Sequence, residues 1–303
     1  MFDIRRSLWV TLACVGYIAL SGCLTIRKQK LEADSIATCR ELSRDGVTAM
    51  EMGEWGRAQS KLEEAVDASP TDLDARRQLA EALWQNHSRR DAVVQMEAAV
   101  RLDPRHAPTL VRSGEMMLAV GAIEKAQQRS EEAISLDGNL AGAWALRGRV
   151  FRQQGEPQRA LADMQQALRF SPHLTDLLLE VAQVQYELGR PQRSLTTLHQ
   201  LLDIYPPGEE PQQVLWLEGL AYGSLERHLD AVESLHAASL RGRPQADLLY
   251  QLARAEQEAG NPSAAAGTLQ EALALDTGHR ASQVMLAELR GLAAPGNSGV
   301  IRR

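Results

Sequence analysis

The sequence predicts an all-α fold built of stacked helical hairpins, and three observations carry that expectation. First, the fragments "RAQSKLEEAVDASP", "DAVVQMEAAVRLDP", "RALADMQQALRFSP" and "RSLTTLHQLLDIYP" share one pattern, and their prolines, Pro70, Pro104, Pro172 and Pro206, lie 34 residues or a multiple apart. Gly138 stands where the missing member falls. Second, small residues recur at three fixed places within this period. Third, each period reads as two amphipathic stretches with a turn between them, glycine-containing in five of the seven, and one such pair cannot bury its apolar face without a neighbour.

Taken in order, the periods run 39–72, 73–106, 107–140, 141–174, 175–208, 212–245 and 246–279, with Glu209, Glu210 and Pro211 as three extra residues. The eighth position holds Gly46, Ala80, Gly114, Gly148, Ala182, Gly219 and Ala253. The twentieth holds Ala58, Ala92, Ala126, Ala160, Ser194, Ala231 and Ala265, and the twenty-seventh Ala65, Ala99, Ala133, Ala167, Leu201, Ala238 and Ala272. Larger side chains there would overpack the helix crossings. Gly53, Gly121, Gly155, Gly189 and Gly260 mark the turn between the two helices of a pair, A and B, where glycine relieves a strained helix end. Residues 280–292 read as one further amphipathic helix, and 293–303 as a flexible tail without apolar periodicity. The extra residues 209–211 imply either a changed stacking angle after the fifth period or a loop that leaves the stack untouched.

This period and these small residues closely resemble the tetratricopeptide repeat, and the fourth unit carries the fullest signature in Trp144, Gly148, Phe151, Ala160, Met164, Ala167 and Pro172. Departures include Arg147 in place of leucine, Ser130 in place of a large residue, and Arg243 and Thr277 where proline is common. The resemblance implies a right-handed superhelical α-solenoid of about seven units over 39–292, with 280–292 as the capping helix. It also implies a concave wall made by helix A, to which Arg77, Trp84, Arg112, Arg149, Arg152, Tyr186, Trp216, Tyr250 and Arg254 map as partner-binding residues. Of thirteen aromatic residues in the chain, four fall on this wall, and aromatic and arginine side chains are the usual anchors of interfaces. Ordinary packing of these aromatics against neighbouring helices is the competing reading. Family members that hold a terminal carboxylate use asparagine at helix A positions six or nine; this chain has none there, so that clamp is absent.

The N-terminus adds a location. Arg5 and Arg6 precede an uncharged apolar run, Leu8–Leu20, too short to span a bilayer comfortably. "LSGC" then resembles the bacterial lipobox, which implies a signal peptide over 1–22, acylation of Cys23, and a tether over 23–38 that turns helical towards its end. Several buried acyl chains make such attachment stable where one does not. The alternative is a plain secretory signal or uncleaved anchor in which Cys23 is incidental. Cys14 leaves with the signal, so Cys39 alone remains as a thiol, no intramolecular disulfide can form, and Cys39 reads as a small buried residue.

Removal of residues 1–22 takes away Arg5, Arg6 and Asp3 and moves the net charge from −6 to −7, which argues against nucleic acid as a partner. Neither a phosphate-binding glycine loop, nor H-E-x-x-H, nor G-x-S-x-G occurs, and the scattered histidines suit no metal site. The expectation is a non-enzyme without cofactor or metal: a lipid-anchored scaffold presenting its wall to an extended segment of an envelope assembly partner, of the pilus, secretin or outer-membrane assembly type. Leu24 after the modified cysteine favours the outer membrane, facing the periplasm. The alternative is an accessory subunit of exopolysaccharide or cell-wall synthesis that contacts glycan or its synthase.

Overall fold

The computed structural model describes residues 33–293. The signal peptide, Cys23, the first part of the tether and residues 294–303 of the tail lie outside the described residues. Within them are fifteen helices and no strand. They are α1 (33–51), α2 (Trp55–Ala68), α3 (Leu73–Gln85), α4 (Arg89–Leu102), α5 (Ala107–Ala119), α6 (Ile123–Leu136), α7 (Ala141–Gln153) and α8 (Pro157–Phe170). They continue with α9 (Thr175–Glu187), α10 (Pro191–Leu202), α11 (Gln212–Gly223), α12 (His228–Ser239), α13 (Ala246–Glu258), α14 (Pro262–Leu275) and α15 (Arg280–Ala293). Odd-numbered helices through α13 are the A helices. The fold is an all-α repeat of helix pairs.

The chain forms two compact units, one ending at Arg147 and the other beginning at Gly148, inside α7. In the first unit, α2 packs on α3, α3 on α4, α4 on α5 and α5 on α6. In the second, each helix from α8 to α15 packs on the next. Small residues set the spacing: Ala58, Ala92, Ala126, Ala160, Ala231 and Ala265 are wholly buried, as are Ala65, Ala99, Ala133, Ala167, Ala238 and Ala272. Ser194, the one hydroxyl at the twentieth position, is equally buried and donates to the carbonyl of Ala182 at 2.9 Å, so its polarity is met locally.

Glycine at the eighth position allows a closer approach than alanine. A β-carbon on Gly219 would sit 2.5 Å from Leu235 Cγ, and one on Gly148 would sit 2.8 Å from Met164 Cγ. In the third repeat Ser130 is too short to fill the corresponding space, and Leu146 of α7 occupies the room beside Gly114 instead. The departure from the repeat pattern is thus compensated by a neighbour.

All seven A helices end alike. The residue after the last turn has positive φ, and the next N–H reaches back five residues, as in Glu54 N to Ala49 O at 2.9 Å and Arg227 N to Tyr222 O at 3.0 Å. Five of these positive-φ residues are glycines. The other two are His87 at 63° and Glu226 at 58°. The inserted Glu210 is pinned at both ends: its carboxylate accepts from Gly208 N–H at 2.9 Å and from Arg241 Nη2 at 3.0 Å. Cys39 is buried, and burial together with nearby Asp72 pushes its thiol pKa up, as expected of a packed rather than a reactive thiol. No helix among the described residues is long and apolar enough to cross a membrane.

Candidate functional site

The wall residues of the first unit gather on α3 and α5. Arg112 on α5 makes a two-pronged ion pair with Glu81 on α3, at 2.6 and 2.7 Å, and a third bond to Glu115 at 3.0 Å. These bonds outweigh burial and hold the Arg112 guanidinium above its ordinary pKa. Trp84 on α3 lies under two cations, Arg112 at 5.9 Å and Arg89 of α4 at 5.5 Å. Arg77 meets Asp74 of its own helix at 3.4 Å. A single cluster therefore unites Trp84 and Arg112, with Arg77 nearby on α3.

Beside that cluster opens a cavity of about 430 Å³ between α1 and α3, lined by Val47, Met50, Glu51, Asp74, Arg77, Gln78 and Glu81. A neighbouring one of about 510 Å³ shares Val47, Asp74 and Gln78 and adds Arg40, Ser43, Arg44 and Asp72. Gln78 Oε1 is buried without a hydrogen-bond partner. The first-repeat residues among these occupy positions two, five, six, nine, twelve and thirteen. Sequence reasoning mapped the wall only from the second repeat onwards and missed them; the same position rule applied to residues 39–72 finds them.

In the second unit the wall arginines are also engaged. Arg149 on α7 pairs with Glu180 on α9 at 2.8 Å, and Arg152 bonds Gln183 and Glu187 of α9. Tyr186 packs against the Leu178, Ala182 and Leu198 cluster, and its hydroxyl accepts from Ser224 at 3.2 Å. Trp216 packs with Leu215 and Leu235, and its Nε1 is buried without a partner. Tyr250 lies edge-on to His279 at 5.8 Å, while Arg254 meets Glu258 at 3.3 Å. Tyr250 and Arg254 line a cavity of about 640 Å³ against α15, together with Gln257, Val284, Met285 and Glu288. The aromatics are thus half-packed, each with one face in the core.

Two tetratricopeptide-repeat profiles match the sequence, one over residues 46–107 and 105–175 and the other over 151–215. Together they span more than half of the chain. The chain belongs to the tetratricopeptide-repeat family. Among solved structures of this family, a tetratricopeptide repeat protein from Parabacteroides merdae superposes with a TM-score of 0.60 at 14% identity, over 84% of this chain and 99% of the other. YrrB, described as a TPR protein with an unusual peptide-binding site, gives 0.55 at 18% identity over 62% of this chain and 96% of its own. PilF of Pseudomonas aeruginosa gives 0.52 at 18% identity over 84% and 99%. No curated protein sequence matches the chain.

Membership of the tetratricopeptide-repeat family bears on one arrangement that looks chemical. Asp247, His279 and Ser282 form a line, with Asp247 Oδ1 3.0 Å from His279 Nε2 and His279 Nδ1 2.7 Å from Ser282 Oγ. Ser282 is wholly buried, and His279 Nδ1 also faces the Ser282 N–H at the start of α15. His106 and Thr109 repeat that geometry at the start of α5 without any acid. Both are helix caps between repeats. Among the described residues no cluster of metal-ligating side chains occurs. Proteins of this family serve in general as non-catalytic interaction scaffolds that bind peptides or proteins.

Proposed function

We propose that this chain is a membrane-moored scaffold of a bacterial envelope. Lipid on Cys23 anchors it, and the A-helix wall holds an extended segment of a protein that takes part in envelope assembly. The observation that carries the reading is the pair of adjoining cavities between α1 and α3, where apolar Val47 and Met50 are flanked by charged side chains at the positions the family uses for ligands. YrrB, described by its peptide-binding site, supports a peptide as the kind of ligand. Leu24 following the anchor cysteine favours the outer membrane, with the repeats facing the periplasm.

Two experiments test this. Cys23→Ala should abolish palmitate labelling and release the chain from the membrane fraction; persistent labelling rejects the anchor. Crosslinking in native membranes, followed by mass spectrometry, should capture one dominant partner. Substitutions at Trp84, Arg149, Trp216 and Tyr250 that keep the fold should weaken that capture. Unchanged capture across the panel would move the partner site off the wall.

A further inference from the structure

The outward stripe of α12 departs from that of every other B helix. Positions eighteen, twenty-two, twenty-five and twenty-nine of a repeat are four, three and four residues apart, which puts them along one helix face. At positions eighteen and twenty-nine the other repeats hold Gly56 and Asp67, Arg90 and Arg101, Glu124 and Ser135, Gln158 and Arg169, Gln192 and Asp203, and Ser263 and Ala274, all exposed. In α12 the same places hold Leu229 and Leu240, which are 77% and 64% exposed. Leu240 follows the last residue of the helix yet keeps helical torsions, φ −86° and ψ −8°, and so stays in register. Between the two leucines stand Glu233 and His236, exposed and with no side-chain hydrogen bond or ion pair among the described residues. Leu235 is buried on the opposite side. A helix that is apolar on two sides has the pattern of one covered on both.

We infer that a second copy of this chain covers the stripe, with its own α12 packed antiparallel on the first. Spacings of four, three and four residues are those of the seam between two coiled helices. About a two-fold axis at the level of Ser234 and Leu235, Leu229 of each copy meets Leu240 of the other, and Glu233 of each meets His236 of the other. The stripe is thus complementary to itself, as a two-fold interface requires. A parallel pair would instead set Glu233 against Glu233, so the charges select the antiparallel arrangement. Leucines close the two ends, and the polar centre fixes the register. A single helix pair belongs with the smallest interfaces, about 1,200 Å² or less, so the dimer is a weak one. It uses a B helix, leaves the A-helix wall open, and does not depend on the wall reading.

The purified full chain, kept in density-matched detergent, is followed by sedimentation velocity from about 5 to 200 µM, the range in which so small an interface assembles. The wild-type chain should shift from monomer to dimer across that range. Leu229→Asp removes two leucine contacts per dimer and should weaken the association at least about tenfold, with the melting temperature unchanged because the side chain is exposed. His236→Glu sets glutamate against glutamate twice and should also weaken it. Adding Glu233→Lys to His236→Glu restores opposite charges in the antiparallel register alone, and the double variant should dimerise again. A wild-type chain that stays monomeric throughout, or a dimer indifferent to Leu229→Asp, would overturn the inference. So would a double variant that remains monomeric. Loss of the crosslinked membrane partner in Leu229→Asp, with the wild-type chain monomeric, would give the stripe to a different protein and equally reject the second copy.

Discussion

Gly219→Ala is the sharpest test of how the helices are spaced. The added β-carbon would lie 2.5 Å from Leu235 Cγ, 3.0 Å from Leu235 Cδ2 and 3.2 Å from the carbonyl oxygen of Ala231. Carbon atoms in ordinary contact stand about 3.5–4.0 Å apart. Leu235 is itself 2% exposed and Ala231 wholly buried, so neither can swing into open space, and α11 must move off α12. Overpacking of this kind costs about 1–3 kcal/mol, whereas replacing a helical glycine by alanine contributes up to about 1 kcal/mol. The balance is a loss on the order of 1–2 kcal/mol. Gly267→Ala is the control, because Gly267 lies in α14 with nothing within 4 Å of its would-be β-carbon; only the propensity gain of up to about 1 kcal/mol should remain. Thermal melts followed by circular dichroism should show Gly219→Ala falling by about 2–6 °C and Gly267→Ala rising by about 1–3 °C. Amide exchange should show lost protection concentrated in α11 and α12, since repeat arrays lose stability locally. A Gly219→Ala chain that melts higher, in step with the control, would refute the close-approach argument.

Further predictions concern the turns and the buried charges. Glu226 pays a left-handed backbone penalty at φ 58°, so Glu226→Gly should raise the melting temperature, by about 0.5–1 kcal/mol of stability; Gly189→Ala, at φ 66°, should lower it. Burial raises the pKa of Glu256 despite the hydrogen bond from Thr268. The folded chain therefore binds that proton more tightly than the unfolded chain, and the associated stability is full below the unfolded value and lost as pH rises through the folded one; Glu256→Gln should flatten melting curves compared between pH 4 and 7. Glu97 behaves oppositely: burial pushes its pKa up, but bonds from Arg129 and Ser113 outweigh this and hold it below the ordinary range. Its contribution is present at neutral pH and lost as pH falls through the lowered value, so Glu97→Gln should destabilise at pH 7 and make little difference in strong acid. Arg112→Lys keeps a charge but cannot make the two-pronged bond to Glu81, and urea denaturation should report a loss of up to about 1 kcal/mol.

Helix pairing was legible because a fixed period forces the same side chain into the same crossing again and again. Ala58, Ala92 and Ala126 are buried for one reason, and reading any one of them reads them all. The turns at His87 and Glu226 were harder to see, since neither is a glycine; both nonetheless adopt the left-handed conformation. Their register in the period, rather than their chemistry, is what marks them. The fill beside Gly114 was not legible either. It depends on Leu146, from the following repeat, reaching into room that Ser130 leaves, and such compensation is a property of the packed pair rather than of one unit.

The wall shows the same limit in its chemistry. Taken one repeat at a time, Arg112, Arg149 and Arg152 read as cations available to a partner. Their acceptors lie in adjacent repeats: Arg112 meets Glu81, Arg149 meets Glu180 and Arg152 meets Gln183, each 31 residues away. That interval is one repeat less three residues, so position nine of one A helix faces position six of the next in the Arg112 and Arg149 pairs, and position twelve faces position nine in the Arg152 pair. The rule says which charges are spent. It pairs Gln78 with Val47 and Met285 with Arg254, where no charge can answer, and Arg254 turns to Glu258 within its own helix instead.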